Sequence, residues 1–345
     1  MPGRTSLSFQ TEPSFFRTEE LGNQSSVVIV ARDTMTGEIV GTASCGYRRL
    51  MVDGEVRMCG YLGGLRGLPG VRSGTLLARG FRFLRELAGG HKHALYLTAI
   101  FDSNKYAVDL LSSGRAGLPT FMPVGRMLTF LLPLHRKRRS SPRSACVVRG
   151  VAGGASVETA RAINRFNTRH QFAPHYEATD LSGDGGLLGG FDPRDLYVYR
   201  DGAGIDATLG VWDLRALKQW VVMSYPWRYR LIAPLAPIGA RLGLTPPLPR
   251  IGRPVDLLYG SFATYTPGRE GSFSELLDAV LSDCSGQGFT LMAVGVPADS
   301  TVGPMLRRHA VDEYASTVFQ VYWPGEVDGP LASPDLPPNL EIATL

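Results

Sequence analysis

The residues best placed to do chemistry in this 345-residue chain lie in one stretch, Tyr61-Leu-Gly-Gly-Leu-Arg-Gly-Leu-Pro-Gly-Val-Arg-Ser-Gly-Thr-Leu-Leu77. An extended apolar segment runs through a Gly-rich turn into a helical pattern. Such a turn presents backbone N–H groups to an anion, and the helix dipole adds about half a positive charge at that end. Arg72 brings a formal charge to the same place, so the turn reads as a phosphate cradle. It has neither the Lys-Ser/Thr of a Walker A loop nor the Gly-x-Gly-x-x-Gly of a Rossmann turn, so neither nucleotide family fits. Other chemistry-bearing residues are sparser. Glu55, beside Asp53 at a turn, is a carboxylate available as a base and equally an ordinary solvated turn residue. His91 and His93 follow a Gly-Gly turn and read as surface residues. His170 and His175 have no carboxylate at metal-ligand spacing, which argues against a metal site. Cys45, Cys59, Cys146 and Cys284 are widely spaced without a Cys-x-x-Cys pair, so they read as reduced thiols and the protein as cytoplasmic.

The elements that must position these residues follow from periodicity. Val27–Arg32 and Glu38–Cys45 form a hairpin, and Arg48–Val52 turns at Asp53-Gly54 into Val56–Leu65, extending it to a meander. Leu76, Leu77, Phe81, Leu84 and Leu87 fall at helical spacing and predict a helix over Thr75–Leu87, stopped by Gly89-Gly90. A buried strand follows at Ala94–Phe101, then a helix over Asn104–Leu111 capped by Asp102-Ser103, then a strand near Arg126–Leu132. The same order recurs downstream. Leu196–Tyr199, Ala207–Trp212 and Val255–Tyr265 supply a meander. Ser274–Ser285 is a helix ended by Gly286, Phe289–Val296 a strand, Asp299-Ser300 the cap of another helix, and Ser316–Trp323 a closing strand. Gly89 and Gly286, Leu84 and Leu281, Asp102 and Asp299, and Ser103 and Ser300 share one offset of 197 residues (286 − 89), the mark of a duplicated fold. Val211–Val221 reads as a helix, and proline-rich Met223–Pro254 as an inserted linker, as a lid or substrate wall, or as an amphipathic membrane patch.

Charge divides along the same line. Residues 1–145 hold 20 Lys and Arg against 10 Asp and Glu, the remainder 16 against 21. Length and charge together predict two domains, 1–145 and 146–345, meeting in the basic segment Leu134–Arg149. That segment is a solvated linker or a nucleic-acid patch; the aromatics that stack on bases are absent from it. The longest apolar run, Met127–Leu134, is far shorter than the roughly 20 residues of a membrane span.

The run from Leu65 to Leu84, followed by Asn104-Lys-Tyr-Ala107 and the downstream Ser113-Gly114, resembles the central motifs of the GNAT acyl-CoA N-acyltransferase superfamily. The resemblance covers about residues 27–132, and the repeat extends it to 190–323. It implies an α/β (α+β) fold of two tandem GNAT-like domains, each a mixed, mostly antiparallel central sheet flanked by helices. It implies acetyl-CoA or another acyl-CoA as co-substrate and no metal. Leu65, Gly67 and Leu68 would offer backbone groups to the pantetheine arm. Arg72, Ser73, Gly74 and Thr75 would bind pyrophosphate, and Asn104 would lie near the thiol end. The activity implied is transfer of an acyl group to a small-molecule amine or amino-acid-like acceptor, with the second domain shaping the acceptor cleft. Two alternatives stand beside it: a tandem-GNAT transferase using aminoacyl-tRNA, drawing on Arg136–Arg143, and a non-catalytic CoA-binding scaffold. A homodimer is the oligomeric expectation, without a membrane partner. Departures from the family pattern shape the catalytic assignment. Leu111 stands where the family often has its acidic Tyr, leaving Tyr106 as the acid and Glu55 as the base. The Arg-Ser-Gly-Thr-Leu loop is one position short, and only 26 residues precede Val27, too few for the usual first strand and two helices. The second-half junction, Tyr265-Thr-Pro-Gly-Arg-Glu-Gly-Ser-Phe273, has no phosphate loop. It is either a second CoA site through Arg269 and Gly271 or a degenerate fold kept as scaffold.

Overall fold

The computed structural model describes residues 6–68, 73–87, 95–115, 117–134, 145–150, 154–183, 186–202, 204–225, 249–323 and 332–345. The first half builds β1 (Ser6–Gln10), α1 (Phe15–Glu19), β2 (Ser25–Arg32), β3 (Ile39–Val52), β4 (Glu55–Gly67), α2 (Ser73–Leu87), β5 (Leu95–Phe101), α3 (Lys105–Leu111) and β6 (Thr120–Pro133). The second builds β7 (Val147–Arg149), α4 (Gly154–Asn167), β8 (Leu196–Asp201), β9 (Gly204–Trp212), β10 (Gln219–Ser224), β11 (Leu257–Tyr265), α5 (Glu270–Cys284), β12 (Leu291–Pro297), α6 (Gly303–His309) and β13 (Asp312–Tyr322).

The duplication is structural. Helices α2 and α5 are each 15 residues long and begin 197 positions apart (270 − 73). In each half the strand before this helix runs parallel to the strand after it, β4 with β5 and β11 with β12. All other pairings of named strands are antiparallel, so the sheet is mixed and mostly antiparallel, with helices flanking it.

The two halves nevertheless share one 11-stranded sheet, in the order β2-β3-β4-β5-β13-β6-β12-β11-β9-β8-β7. Strand β13 takes the place beside β5 that chain order would give to β6, with Ser316 opposite Phe101 and Thr317 opposite Ile100. Strand β6 lies on the other side of β13 and pairs with β12, Phe130 opposite Val294. Side-chain pattern drives the exchange. Phe319 and Val321 of β13 are buried against Leu77, Leu84 and Phe121 in the first half. Phe130 and Leu132 of β6 are fully buried against Phe273, Leu277 and Met292 in the second. Each such side chain contributes about 1.5–3 kcal/mol on burial. The division at residue 145 therefore divides the chain but not the sheet.

Several expectations change. Val211–Val221 is not a helix: Asp213 accepts the Arg215 N–H (3.1 Å) and closes a turn between β9 and β10. The 26 residues before Val27 hold a strand and a short helix, and β1 pairs with β10 of the second half, Phe9 opposite Trp220. Asp102 does not cap α3; Asn104 does, accepting the Ala107 N–H at 3.2 Å. Asp102 instead joins Arg126 and Thr317 across the sheet. Helix α6 begins at Gly303-Pro304 without a side-chain cap, and Ser300 meets the Tyr265 hydroxyl. Most of Met223–Pro254 lies outside the described residues, as do His91, His93 and Arg136–Arg143.

Candidate functional site

Among the described residues, strands β4 and β5 pair at three positions, Cys59 with Leu95, Gly60 with Tyr96 and Tyr61 with Leu97. At the next position the ladder is replaced by a side chain: the Thr98 hydroxyl donates to the Leu62 carbonyl at 2.8 Å. Beyond it the strands part, β4 staying with β3 and β5 with β13. A bulge on β4 opens the gap further. Ser44 faces Gly63 but Thr42 faces Arg66, and Gly64 takes φ +60°, a conformation a side chain resists. A Cβ on Gly64 would stand 2.9 Å from the Ser44 Oγ.

The parted strands open on a cavity of about 2280 Å³ that both halves line. Single-ligand pockets run to roughly 300–1,000 Å³, so this one has room for more than one drug-sized molecule. On one side, α2 presents Leu76, Leu77, Phe81 and Leu84, with Arg79 and Arg82 beside them. On the other, an aromatic wall crosses from half to half. Phe9 lies 5.1 Å from Trp220, Phe101 lies 6.3 Å from Trp220 and 5.9 Å from Tyr314, and the Trp220 indole donates to the Tyr259 hydroxyl.

The floor is charged. Arg48 is buried, bonded to Asn23 Oδ1 (2.8 Å) and Thr344 Oγ1 (3.1 Å), and lies over the Tyr61 ring. Lys218 is 3% exposed, donates to the Leu345 main-chain oxygen (3.0 Å) and lies 4.7 Å from the Tyr259 ring centroid. Desolvation lowers its pKa to about 7. Glu19, the last residue of α1, is half-buried; burial raises its carboxyl above the ordinary range, against the Ser44 hydroxyl and the Arg48 charge, which lower it. Cys45 and Cys59 are buried thiols pushed up to about 12, which makes them poor nucleophiles at neutral pH.

The expected site residues divide. Leu65, Gly67, Leu68, Asn104 and Tyr106 all line the cavity. Tyr106 is 69% exposed there, at the start of α3. The Asn104 side chain serves as the helix cap, and the Leu68 N–H is already given to Val40 (3.0 Å), so it is not free for pantetheine. Ser73, Gly74 and Thr75 begin α2; Arg72 lies outside the described residues. Glu55 is a correction. It sits at the β3–β4 hairpin, the end of β4 opposite the cleft, beside Arg57 and outside the cavity lining, because the turn it flanks caps the far edge of the strand pair. Glu19, Arg48, Thr98 and Lys218 carried no signal of their own, since their roles come from contacts between distant positions. Among the described residues no group of His, Cys, Asp and Glu is placed to hold a metal ion. No helix there is long and apolar enough to cross a membrane.

The second half has the same parted strands, but they are filled. Strands β11 and β12 pair from Leu257–Leu291 to Gly260–Val294. Beyond, the chain's own residues 341–343 enter. Glu341 accepts the Phe262 N–H at 2.9 Å, and Ile342 occupies the space where a Gly295 Cβ would stand. Arg269 is paired with Asp201 (2.7 Å) and Asp206 (3.6 Å), and Gly271 lies within α5.

Neither a family model nor a curated protein matches the sequence. Among solved structures, the chain is similar to a GCN5-related N-acetyltransferase from Sphaerobacter thermophilus, with TM-score 0.54 and 15% identity over 88% of this chain and 82% of that one. It is similar to Saccharomyces cerevisiae N-myristoyltransferase with bound myristoyl-CoA, TM-score 0.54 and 9% identity over 93% and 80%. A third likeness is to the GCN5-related glucosamine N-acetyltransferase region of a fungal multi-domain GH3 β-N-acetylglucosaminidase, TM-score 0.54 and 14% identity over 93% and 38%. At these identities the likeness is one of fold: the chain has the GNAT fold, in tandem.

Proposed function

We propose that the protein transfers an acyl group from acyl-CoA to an amine, with the thioester in the cleft between β4 and β5. The observation that carries this reading is the parting of two parallel strands after Tyr61 and Leu97, opening on a cavity large enough for two substrates. An extended thioester arm entering there would find strand edges without a ladder partner across the gap. The phosphates would lie at the start of α2, on Arg72, Ser73, Gly74 and Thr75, where N–H groups and helix dipole favour an anion. Leu65 and Gly67 would flank the pantetheine arm, and Tyr106 would protonate the departing thiolate. CoA supplies the activated carbonyl; the protein holds it beside the acceptor and excludes water. The filled second cleft and the ion-paired Arg269 support a single CoA site per chain, with the second half acting as scaffold and acceptor wall through Trp220, Tyr259 and Tyr314.

Calorimetry with acetyl-CoA and with CoA tests the binding step, and thiol release from acetyl-CoA with a panel of amines tests the transfer. Saturable binding of one molecule per chain and amine-dependent thiol release are expected. No heat at millimolar ligand overturns the reading, and binding without transfer to any amine favours the scaffold alternative.

A further inference from the structure

An amine must lose a proton to become an amide, and four side-chain carboxylates line the cavity within the described residues: Glu19, Glu86, Asp102 and Glu313. Three are poorly suited. Asp102 gives one oxygen to Arg126 (3.0 Å) and the other to the Thr317 hydroxyl (2.8 Å). Glu313 is held by Arg307 at 2.7 Å. Glu86 is exposed in the last turn of α2, the end remote from the turn that follows β4. Glu19 differs in position and surroundings. It ends α1, whose Phe15 ring lies 3.4 Å from where a Gly64 Cβ would be, so this helix rests on the β4 bulge. Glu19 and Ser44 line the same cavity, and Ser44 faces Gly63, two residues beyond the last β4–β5 pair. Glu19 thus borders the cavity together with Ser44, Gly63 and Gly64, the residues at which the strands part.

Resting on the acyl-transfer reading, we propose that Glu19 is the general base for the acceptor amine. As the amine nitrogen bonds to the thioester carbonyl carbon, one N–H proton passes to the Glu19 carboxylate. The C–S bond breaks, its electron pair stays on sulfur, and CoA leaves as a thiolate that is then protonated. Glu19 returns its proton to solvent. Burial suits it to this task, because a carboxyl held above its ordinary range is a stronger proton acceptor once ionised. The ionisable groups facing it are Arg48 and Cys45 from β3 and Tyr61 from β4. A guanidinium stays charged, and the thiol and phenol are both raised, so none of these three titrates at acid pH.

The test compares wild type with Glu19→Gln and Ser44→Ala, using acetyl-CoA and whichever amine of the panel gives the fastest thiol release. Glu19→Gln is expected to bind acetyl-CoA as wild type does in calorimetry, to keep its melting temperature and to lose about a hundredfold to ten-thousandfold in kcat. The acid limb of its pH–rate profile is expected to vanish, while Ser44→Ala moves that limb to higher pH by removing the hydroxyl that lowers the Glu19 carboxyl. Lys218→Met keeps the limb, separating Glu19 from the amine across the floor. A Glu19→Gln enzyme within threefold of wild type, or with an unchanged acid limb, overturns the assignment. If wild type itself neither binds acetyl-CoA nor releases thiol, the acyl-transfer reading has failed, and the assignment with it. Should Glu19→Gln fail to fold, Glu19→Asp serves in its place: a large fall in kcat with an acid limb displaced in pH supports the role, and unchanged kinetics refute it.

Discussion

Lys218 is a buried ammonium that donates to the Leu345 main-chain oxygen, and the Phe9 and Tyr259 rings lie beside it. Its pKa falls from 10.5 to about 7 in the folded protein, so between these values the unfolded chain binds more protons than the native one. Stability must then rise with pH across that window and level off below it. Lys218→Met is expected to raise the melting temperature at pH 7 and to reduce the gain that wild type shows from pH 7 to 8.5. Thermal melts at both pH values check this; a variant less stable at pH 7 would show that the ammonium contributes more than burial costs it. Arg72→Ala is expected to weaken acetyl-CoA by about 1–3 kcal/mol, the worth of a charge-assisted bond to phosphate, as read by calorimetry. At this scale the sequence exposed the Gly-rich turn because its signal is local. It hid Glu19 and Lys218, since Thr-Glu-Glu and Leu-Lys-Gln look like solvated surface until residues 19 and 44, or 218 and 345, are brought together.

The cleft is a property of elements, and two substitutions probe it. Thr98→Val removes the hydroxyl that holds the Leu62 carbonyl where the strands divide, leaving that acceptor without its side-chain donor. A loss of about 1–3 kcal/mol is expected in denaturant titrations. Gly64→Val places a branched side chain at φ +60° and 2.9 Å from Ser44 Oγ. It should cost about 1–3 kcal/mol in stability and abolish acetyl-CoA binding, whereas retained affinity would move the thioester elsewhere. Most elements were legible from periodicity: the β3–β4 hairpin turns at Asp53-Gly54, where both residues have positive φ. Val211–Val221 was not, because apolar residues flanking a tight turn imitate helical spacing. Leu214 accepts from both Leu217 and Lys218 there, one helical turn's worth of bonding that goes no further.

At the scale of the molecule, the exchange of β6 and β13 makes the halves mutually dependent. A fragment of residues 1–145 lacks the strand that should pair with β5 and the Phe319 and Val321 side chains of its own core. It is expected to melt without a cooperative transition, and co-expression with residues 146–345 should restore one. A cooperative melt of the fragment alone would mean that β6 can take the place of β13. The charge asymmetry gains a setting here too. Arg79 and Arg82 lie on the cavity, whereas in the second half Arg269 is neutralised by Asp201 and Asp206.

The sequence by itself determined the local order of strands and helices, its duplication at a fixed offset, and the Gly-rich turn opening a helix. Periodicity, turn residues and caps act over a few neighbours and can be read along the chain. Only the tertiary structure decided where the last strand of each half would go, that the second cleft is filled by residues 341–343, and which carboxylates line the cavity. Those outcomes depend on side chains far apart in sequence burying one another, and no local pattern encodes that.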